Sequence, residues 1–258
     1  ACPGFVFSSP SPDQMIAASE KVEGGAGILF IVKNYSGDIM NFQMASEMIT
    51  GASETVLIND DVAVEDSSYT TGRRGVAATV IVEKIVGSLA ETGGSLKECK
   101  ILGDKVNRNS GSMGVAFSSC TVPAAGKPTF KLGPDEMEFG VGIHGEPGRR
   151  RDKVQPAQEI INELLGAIIE DLKLENNGEI LLFVNGMGGT PMTELYLLYD
   201  NAKKILDNKN IKIARSLVGN YCTSLEMQGA SLTITKLDQE LKKHWDSPVH
   251  TAAMRWGL

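Results

Sequence analysis

Four stretches of the chain carry residues that can do chemistry. In Lys33-Asn34-Tyr35-Ser36-Gly37-Asp38, an apolar strand runs into a helical stretch, Ile39 to Ile49. This places a cation and a carboxylate together at a strand's carboxyl end. The everyday alternative is a solvated Lys33 and an Asp38 that caps the helix, because Asp is a preferred N-cap. Asn59-Asp60-Asp61, followed by Glu65 and Asp66, clusters carboxylates of the kind that hold a hard cation such as magnesium, although acidic loop residues are more often just solvated. His144 lies in Gly140-Val141-Gly142-Ile143-His144-Gly145-Glu146-Pro147-Gly148. A histidine at a strand end, flanked by glycines that let another molecule come close to the backbone, serves as acid, base, nucleophile or ligand. The fourth stretch, Asn185-Gly186-Met187-Gly188-Gly189-Thr190-Pro191, is a glycine loop of the sort that cradles phosphate on backbone N–H groups. It lacks the Lys-Ser or Lys-Thr of a P-loop and does not fit G-x-G-x-x-G, so its signal is weak.

The other charged and aromatic candidates have plainer readings. Gly72-Arg73-Arg74-Gly75 and Arg149-Arg150-Arg151 are basic clusters that could face an anionic partner, the arginines 149–151 as docking contacts on the rim, although such clusters are more often solvated. His244, beside Trp245, reads as surface packing on a terminal helix, and His250 as an ordinary backbone hydrogen-bonding residue in the tail.

Apolar runs over 27–33, 55–58, 139–143, 179–185 and 211–218 each end in or beside Gly, Asn or Asp. Helical patterns follow, over 76–90, 95–107, 193–207 and, most clearly, 156–172. There Ile160, Ile161, Leu164, Leu165, Ile168, Ile169 and Leu172 recur at three- and four-residue spacing. A short helix over 238–245 completes the set. The alternation predicts an α/β protein of two sub-domains, with largely parallel or mixed sheets flanked by helices. Ligands of such sheets sit beyond the carboxyl ends of the strands. The polar, aperiodic run 107–112 marks a division near residue 110, giving a first domain over 1–110 and a second over 111–258.

The 258 residues, 42% hydrophobic and 22% charged, suffice for a real core and exclude disorder, collagen and coiled coil as the whole answer. A net charge of −7 gives no footprint for nucleic acid or anionic lipid, and no apolar run approaches the roughly 20 residues of a bilayer span. Cys2, Cys99, Cys120 and Cys222 are scattered, with no CxxC pair, and read as reduced cytosolic thiols. The start, Ala1-Cys2-Pro3-Gly4, has neither an initiator Met nor a secretory layout, and reads as processed or truncated.

Taken together, these stretches resemble the dihydroxyacetone-binding subunit or domain of the dihydroxyacetone (glycerone) kinases. The likeness runs in order through residues 1–13, 33–38, 60–64, 72–76, 120–128, 137–148, 221–225, 245–251 and 256–257. The family's further N-terminal segment, with a Gly-His-Glu-Pro loop that completes the substrate site, has no counterpart in this sequence, so the chain reads as a fragment with an incomplete site.

The resemblance implies that His144 matches the histidine that bonds covalently to the ketone carbon as a hemiaminal. Asp38 matches the proposed general base and Lys33 a substrate-contacting lysine, with Phe7 and Ser9 lining the same pocket. Tethering fits the chemistry, since an imidazole nitrogen attacks a small ketone and glycerol has no carbonyl to attack. Asp60, Asp61 and the 185–191 loop become structural. The resemblance further implies no cofactor on this chain, with nucleotide and magnesium on a partner kinase subunit that a phosphoryl-donor protein recharges. It also implies a cytoplasmic homodimer that binds neither nucleic acid nor membrane. Because no nucleotide domain follows Leu258, a free-standing phosphotransferase-system subunit is favoured. The rival is a ligand-sensing paralogue that co-regulates transcription, but the presence of both His144 and Asp38 favours the enzyme, because a sensor needs capture of the ketone but no base.

Overall fold

The structure is a computed structural model that describes residues 4–64, 72–146 and 148–257. Cys2, Glu65, Asp66 and Pro147 lie outside the described residues. The chain opens with α1 (Pro12–Val22), β1 (Ile28–Lys33), α2 (Ser36–Met48), β2 (Ser53–Ile58), α3 (Ala78–Glu91) and α4 (Leu96–Arg108). It continues through β3 (Ser110–Ala116), β4 (Glu136–Phe139), β5 (Arg150–Lys153), α5 (Ala157–Leu172), β6 (Glu179–Gly186), α6 (Met192–Asn208), β7 (Lys212–Gly219), β8 (Gly229–Lys236) and α7 (Gln239–Asp246). A short hairpin of β9 (Val249–His250) and β10 (Arg255–Trp256) closes it.

β1 and β2 pair in parallel, while the main sheet has the order β5-β4-β3-β8-β6-β7. That sheet is mixed: β6 and β7 run parallel, and its other neighbours run antiparallel. The expected α/β architecture is therefore present, and of the two sheet types allowed for, the larger sheet is of the mixed kind.

Two apolar layers hold this sheet. On one side, the stripe Ile160, Ile161, Leu164, Leu165 and Ile168 of α5 buries against Leu182 and Val184 of β6 and Leu232 and Ile234 of β8. On the other, Ile81, Val82 and Ile85 of α3 share a core with Val56 and Ile58 of β2, Leu181 and Phe183 of β6, and Trp245 of α7. Each fully buried side chain of this kind contributes about 1.5–3 kcal/mol. Capping boxes, Ser11 with Gln14 and Ser95 with Glu98, start α1 and α4.

Several expectations need correction. The strand expected over 139–143 stops at Phe139, because Gly140 turns the chain at φ +73° and gives its N–H to Gly114. His144 thus stands in the β4–β5 loop and not at a strand end. The run 107–112 is no loop, since α4 reaches Arg108 and β3 begins at Ser110, buried along its length. Its small polar side chains are satisfied inside the sheet, Ser110 with Thr235 and Ser112 with Thr233, both at 2.7 Å. His244 is buried, with Nδ1 3.0 Å from the Ser88 hydroxyl, where α7 docks on α3.

Candidate functional site

One cleft of about 970 Å³ gathers the residues singled out for chemistry. Lys33 ends β1, Asp38 lies in the first turn of α2, Phe7 and Ser9 precede α1, and His144 comes from the β4–β5 loop. All five line the same cavity, along with Tyr35, Glu83 and Glu146.

Asp38 is not the helix cap. Tyr35 holds the N-cap position of α2 without a side-chain capping bond, and the helix begins at Ser36. What fixes the Asp38 carboxylate is Ser9, whose hydroxyl donates to Oδ1. Lys33 is not simply solvated either, for it is half-buried in the cleft wall near Glu83. Crowding by the protein raises the Glu83 pKa, and the Lys33 ammonium opposes that rise.

His144 is held on three sides. The Tyr35 ring meets the imidazole edge-on at 4.6 Å between centroids, and Phe7 does so at 5.1 Å. Phe7 sits at φ +54°, a left-handed conformation that costs a non-glycine residue about 1–3 kcal/mol and marks sites where geometry outweighs local comfort. On the third side, Glu146 accepts the His144 backbone N–H at 2.9 Å through Oε2 and lies 3.3 Å from ring Nδ1 through Oε1. Burial alone would raise the Glu146 pKa. The hydrogen bond from His144, the charge of that ring whenever it is protonated, and a smaller pull from Arg74 win and hold it at about 2.

Beneath these residues lies a buried polar layer. Arg74, 1% exposed, gives Nε to Asp61 at 2.7 Å and Nη2 to the Gly140 carbonyl at 2.6 Å, tying the loop of His144 to the first half of the chain. Burial pushes Asp61 up to about 6 against the pull of Arg74. Asp60 accepts the backbone N–H groups of Val76 and Ala78 at 2.7 and 2.8 Å and the hydroxyl of Ser112. Both aspartates are therefore buried structural groups and not solvated loop acids. Arg73 pairs with Asp171, so Arg73-Arg74 is no solvated patch. Among the described residues no group of three or more His, Cys, Asp and Glu side chains is arranged to hold a metal.

The 185–191 loop is held by Asn185, whose amide bonds the Cys222 carbonyl and accepts from the Tyr221 and Cys222 N–H groups. Arg149, Arg150 and Arg151 are not among the cleft's walls, and the last two pair with Glu163 and Glu138. Reasoning from spacing missed Tyr35, Glu146 and Arg74. Glu146 had a signal, two residues beyond His144; the other two acquire their places only through the fold.

The Dak1 domain family matches residues 1–253. The chain is 43% identical over 284 residues to the PEP-dependent dihydroxyacetone kinase, dihydroxyacetone-binding subunit DhaK, of Escherichia coli K12, covering 100% of this chain and 80% of that protein. It is 48% identical over 240 residues to the dihydroxyacetone-binding subunit of PTS-dependent dihydroxyacetone kinase 1 of Listeria innocua, covering 92% and 73%. Among solved structures, the dihydroxyacetone kinase operon co-activator Dha-DhaQ superposes with a TM-score of 0.87 at 30% identity, over 94% of this chain and 76% of that one. No helix among the described residues is long and apolar enough to cross a membrane.

Proposed function

The chain belongs to the Dak1 domain family, and from that premise we propose that it binds dihydroxyacetone for phosphorylation as the substrate-holding subunit of a phosphotransferase-system-dependent kinase. The observation that carries this reading is the convergence of Ser9, Lys33, Asp38 and His144 on one cleft from distant parts of the sequence. The first unit, residues 1–110, supplies Lys33 and Asp38, and the second, residues 111–258, supplies His144.

His144 captures the ketone as a hemiaminal, which excludes polyols of the same shape and turns a loose encounter into an oriented one. Lys33 holds a substrate oxygen. Asp38, steadied by Ser9, takes the proton of the terminal hydroxyl as that oxygen attacks phosphorus. The phosphoryl group comes from nucleotide and magnesium carried by a partner subunit, which is itself recharged by a phosphoryl-donor protein. The chain acts as a cytoplasmic homodimer.

The test is a pair of substitutions assayed with the partner proteins present. His144→Ala removes ketone binding and keeps the fold, since the ring is part-exposed on the cleft wall. Asp38→Asn keeps ketone binding and lowers turnover by about 10²- to 10⁴-fold, the usual range for a general base. Unchanged turnover in Asp38→Asn, with chemistry rate-limiting, removes Asp38 from the mechanism. A second reading, a ligand-sensing co-regulator, is favoured by one observation: the likeness to an operon co-activator. Product formed only with the partner subunits supports the kinase, and ketone binding with no product under any supply of donor supports the sensor.

A further inference from the structure

Glu146 touches His144 twice, and the reading of His144 as the ketone-capturing group leaves open which ring nitrogen attacks. We propose that Glu146 is a positioning residue that holds neutral His144 as the Nδ1–H tautomer, leaving the lone pair on Nε2. This inference rests on the hemiaminal reading for its consequence, but not for its geometry.

The geometry is one of donors and acceptors. An ionised carboxylate only accepts hydrogen bonds. One oxygen of Glu146 is taken by the His144 backbone N–H at 2.9 Å, and the other faces ring Nδ1 at 3.3 Å. The nitrogen it faces must therefore carry the proton. The carboxylate has little room to turn away: it is 7% exposed, and a Cβ on Gly142 would lie only 2.0 Å from Oε2 and 2.8 Å from Nη1 of Arg74. The edges and faces of Phe7 and Tyr35 restrain the imidazole plane from the other side. The hydrogen bond from His144 first, and the buried Arg74 guanidinium to a smaller extent, keep Glu146 ionised against the effect of burial.

In the capture step, the Nε2 lone pair forms the bond to the carbonyl carbon. The C=O π pair moves to oxygen, which takes a proton from solvent water to become a hydroxyl. The ring, still protonated at Nδ1, becomes a cation whose charge Glu146 balances, so the step takes up one proton overall. The opposite tautomer would put the lone pair on the nitrogen blocked by Glu146.

Glu146→Gln sets up a conflict that no amide orientation resolves. With its oxygen on the backbone N–H, the NH₂ group faces Nδ1, which must then accept, and the proton moves to Nε2. Turned the other way, NH₂ faces the backbone N–H, donor against donor. Loss of a hydrogen bond to a charged group is worth about a 10- to 100-fold loss of ketone affinity.

The experiment is long-range ¹H–¹⁵N NMR of imidazole-labelled full-length protein, with the His144 signals assigned by their disappearance in His144→Ala. The expected result is a neutral wild-type His144 protonated at Nδ1 and a Glu146→Gln protein shifted to the Nε2–H form. A wild-type ring protonated at Nε2, or a tautomer that Glu146→Gln leaves untouched, overturns the proposal. The wild-type measurement needs no variant to fold.

Carbonyl-¹³C dihydroxyacetone, added in parallel, separates the two readings. A ketone bound without a carbon–nitrogen bond removes the hemiaminal and leaves the tautomer result standing. A bond that forms equally well in Glu146→Gln with its tautomer unchanged removes the positioning role and leaves the hemiaminal standing.

Discussion

The Tyr35 hydroxyl is buried with no hydrogen-bond partner among the described residues, although its ring packs on His144. Burial, then the charge of Glu146, raises its pKa well above the ordinary value. A neutral phenol that has given up water for nothing gains from being deleted. Tyr35→Phe should leave stability unchanged or raise it by about 1–2 kcal/mol, with the ring contact retained. Urea titration checks this, and a loss beyond about 1 kcal/mol would show that the hydroxyl is bonded in solution. Glu146 gives a second prediction. Its folded pKa of about 2 lies below the ordinary 4.5, so its contribution is full above pH 4.5 and disappears as the pH falls through 2. At about 1.4 kcal/mol per unit, the shift amounts to roughly 3 kcal/mol for this nearly buried group. The stability gap between wild type and Glu146→Gln should close by that order over this window in pH-dependent denaturation; a constant gap would refute the linkage. Asp61 has the opposite sign and another window. Raised from 3.8 to about 6, its contribution is full below pH 3.8 and lost as the pH rises through 6. Among the residues lining the cleft and lying beneath it, His144, Asp38 and Lys33 were legible as candidates because a glycine context and a strand-to-helix junction are local signals. Tyr35 and Arg74 were not, because nothing local tells that one buries against an imidazole and the other beneath a loop far along the chain.

At the level of elements, α3 begins where Asp60 permits it. The two carboxylate oxygens receive the N–H groups of Val76 and Ala78, and the Asp60 carbonyl accepts from Ser112 at 2.7 Å, so one residue joins β2, α3 and β3. Asp60→Asn replaces one acceptor with a donor facing a donor. With each such charged hydrogen bond worth about 1.5–3 kcal/mol, the expected cost is roughly 3 kcal/mol, read as a lower denaturation midpoint at unchanged slope. A cost below about 1 kcal/mol would mean that another group starts α3. The amphipathic helices were read to within a few residues because their apolar stripes repeat, as in α5. Elements without that signature went unread. β3 opens with Ser110-Gly111-Ser112, and its hydroxyls find their partners on β8, on the Val106 carbonyl and on Asp60, so it looks like a loop until those neighbours are known. α1 and β8 were also passed over, the first for its modest apolar content and the second for its polar alternate positions. The short α2 was placed three residues late, because its start carries no side-chain cap to announce it.

Across the whole molecule, the cleft takes its walls from both sides of residue 110, and so do both main cores. Val56, Ile58 and Ile81 meet Leu181, Phe183 and Trp245 without a solvent layer between them. Heating should therefore unfold the chain in one cooperative transition, with calorimetric and van't Hoff enthalpies in agreement. Two resolved transitions would show that the units keep separate cores. Arg74 carries this cohesion into a different kind of observation. Trypsin must seat an arginine side chain in its specificity pocket before it cuts, and this guanidinium is enclosed between Asp61 and the Gly140 carbonyl, next to an Arg73 whose side chain is 35% exposed. The peptide bond after Arg74 is thus a built-in gauge: in a native digest, the rate at which it is cut reports how often the two halves of the molecule come apart.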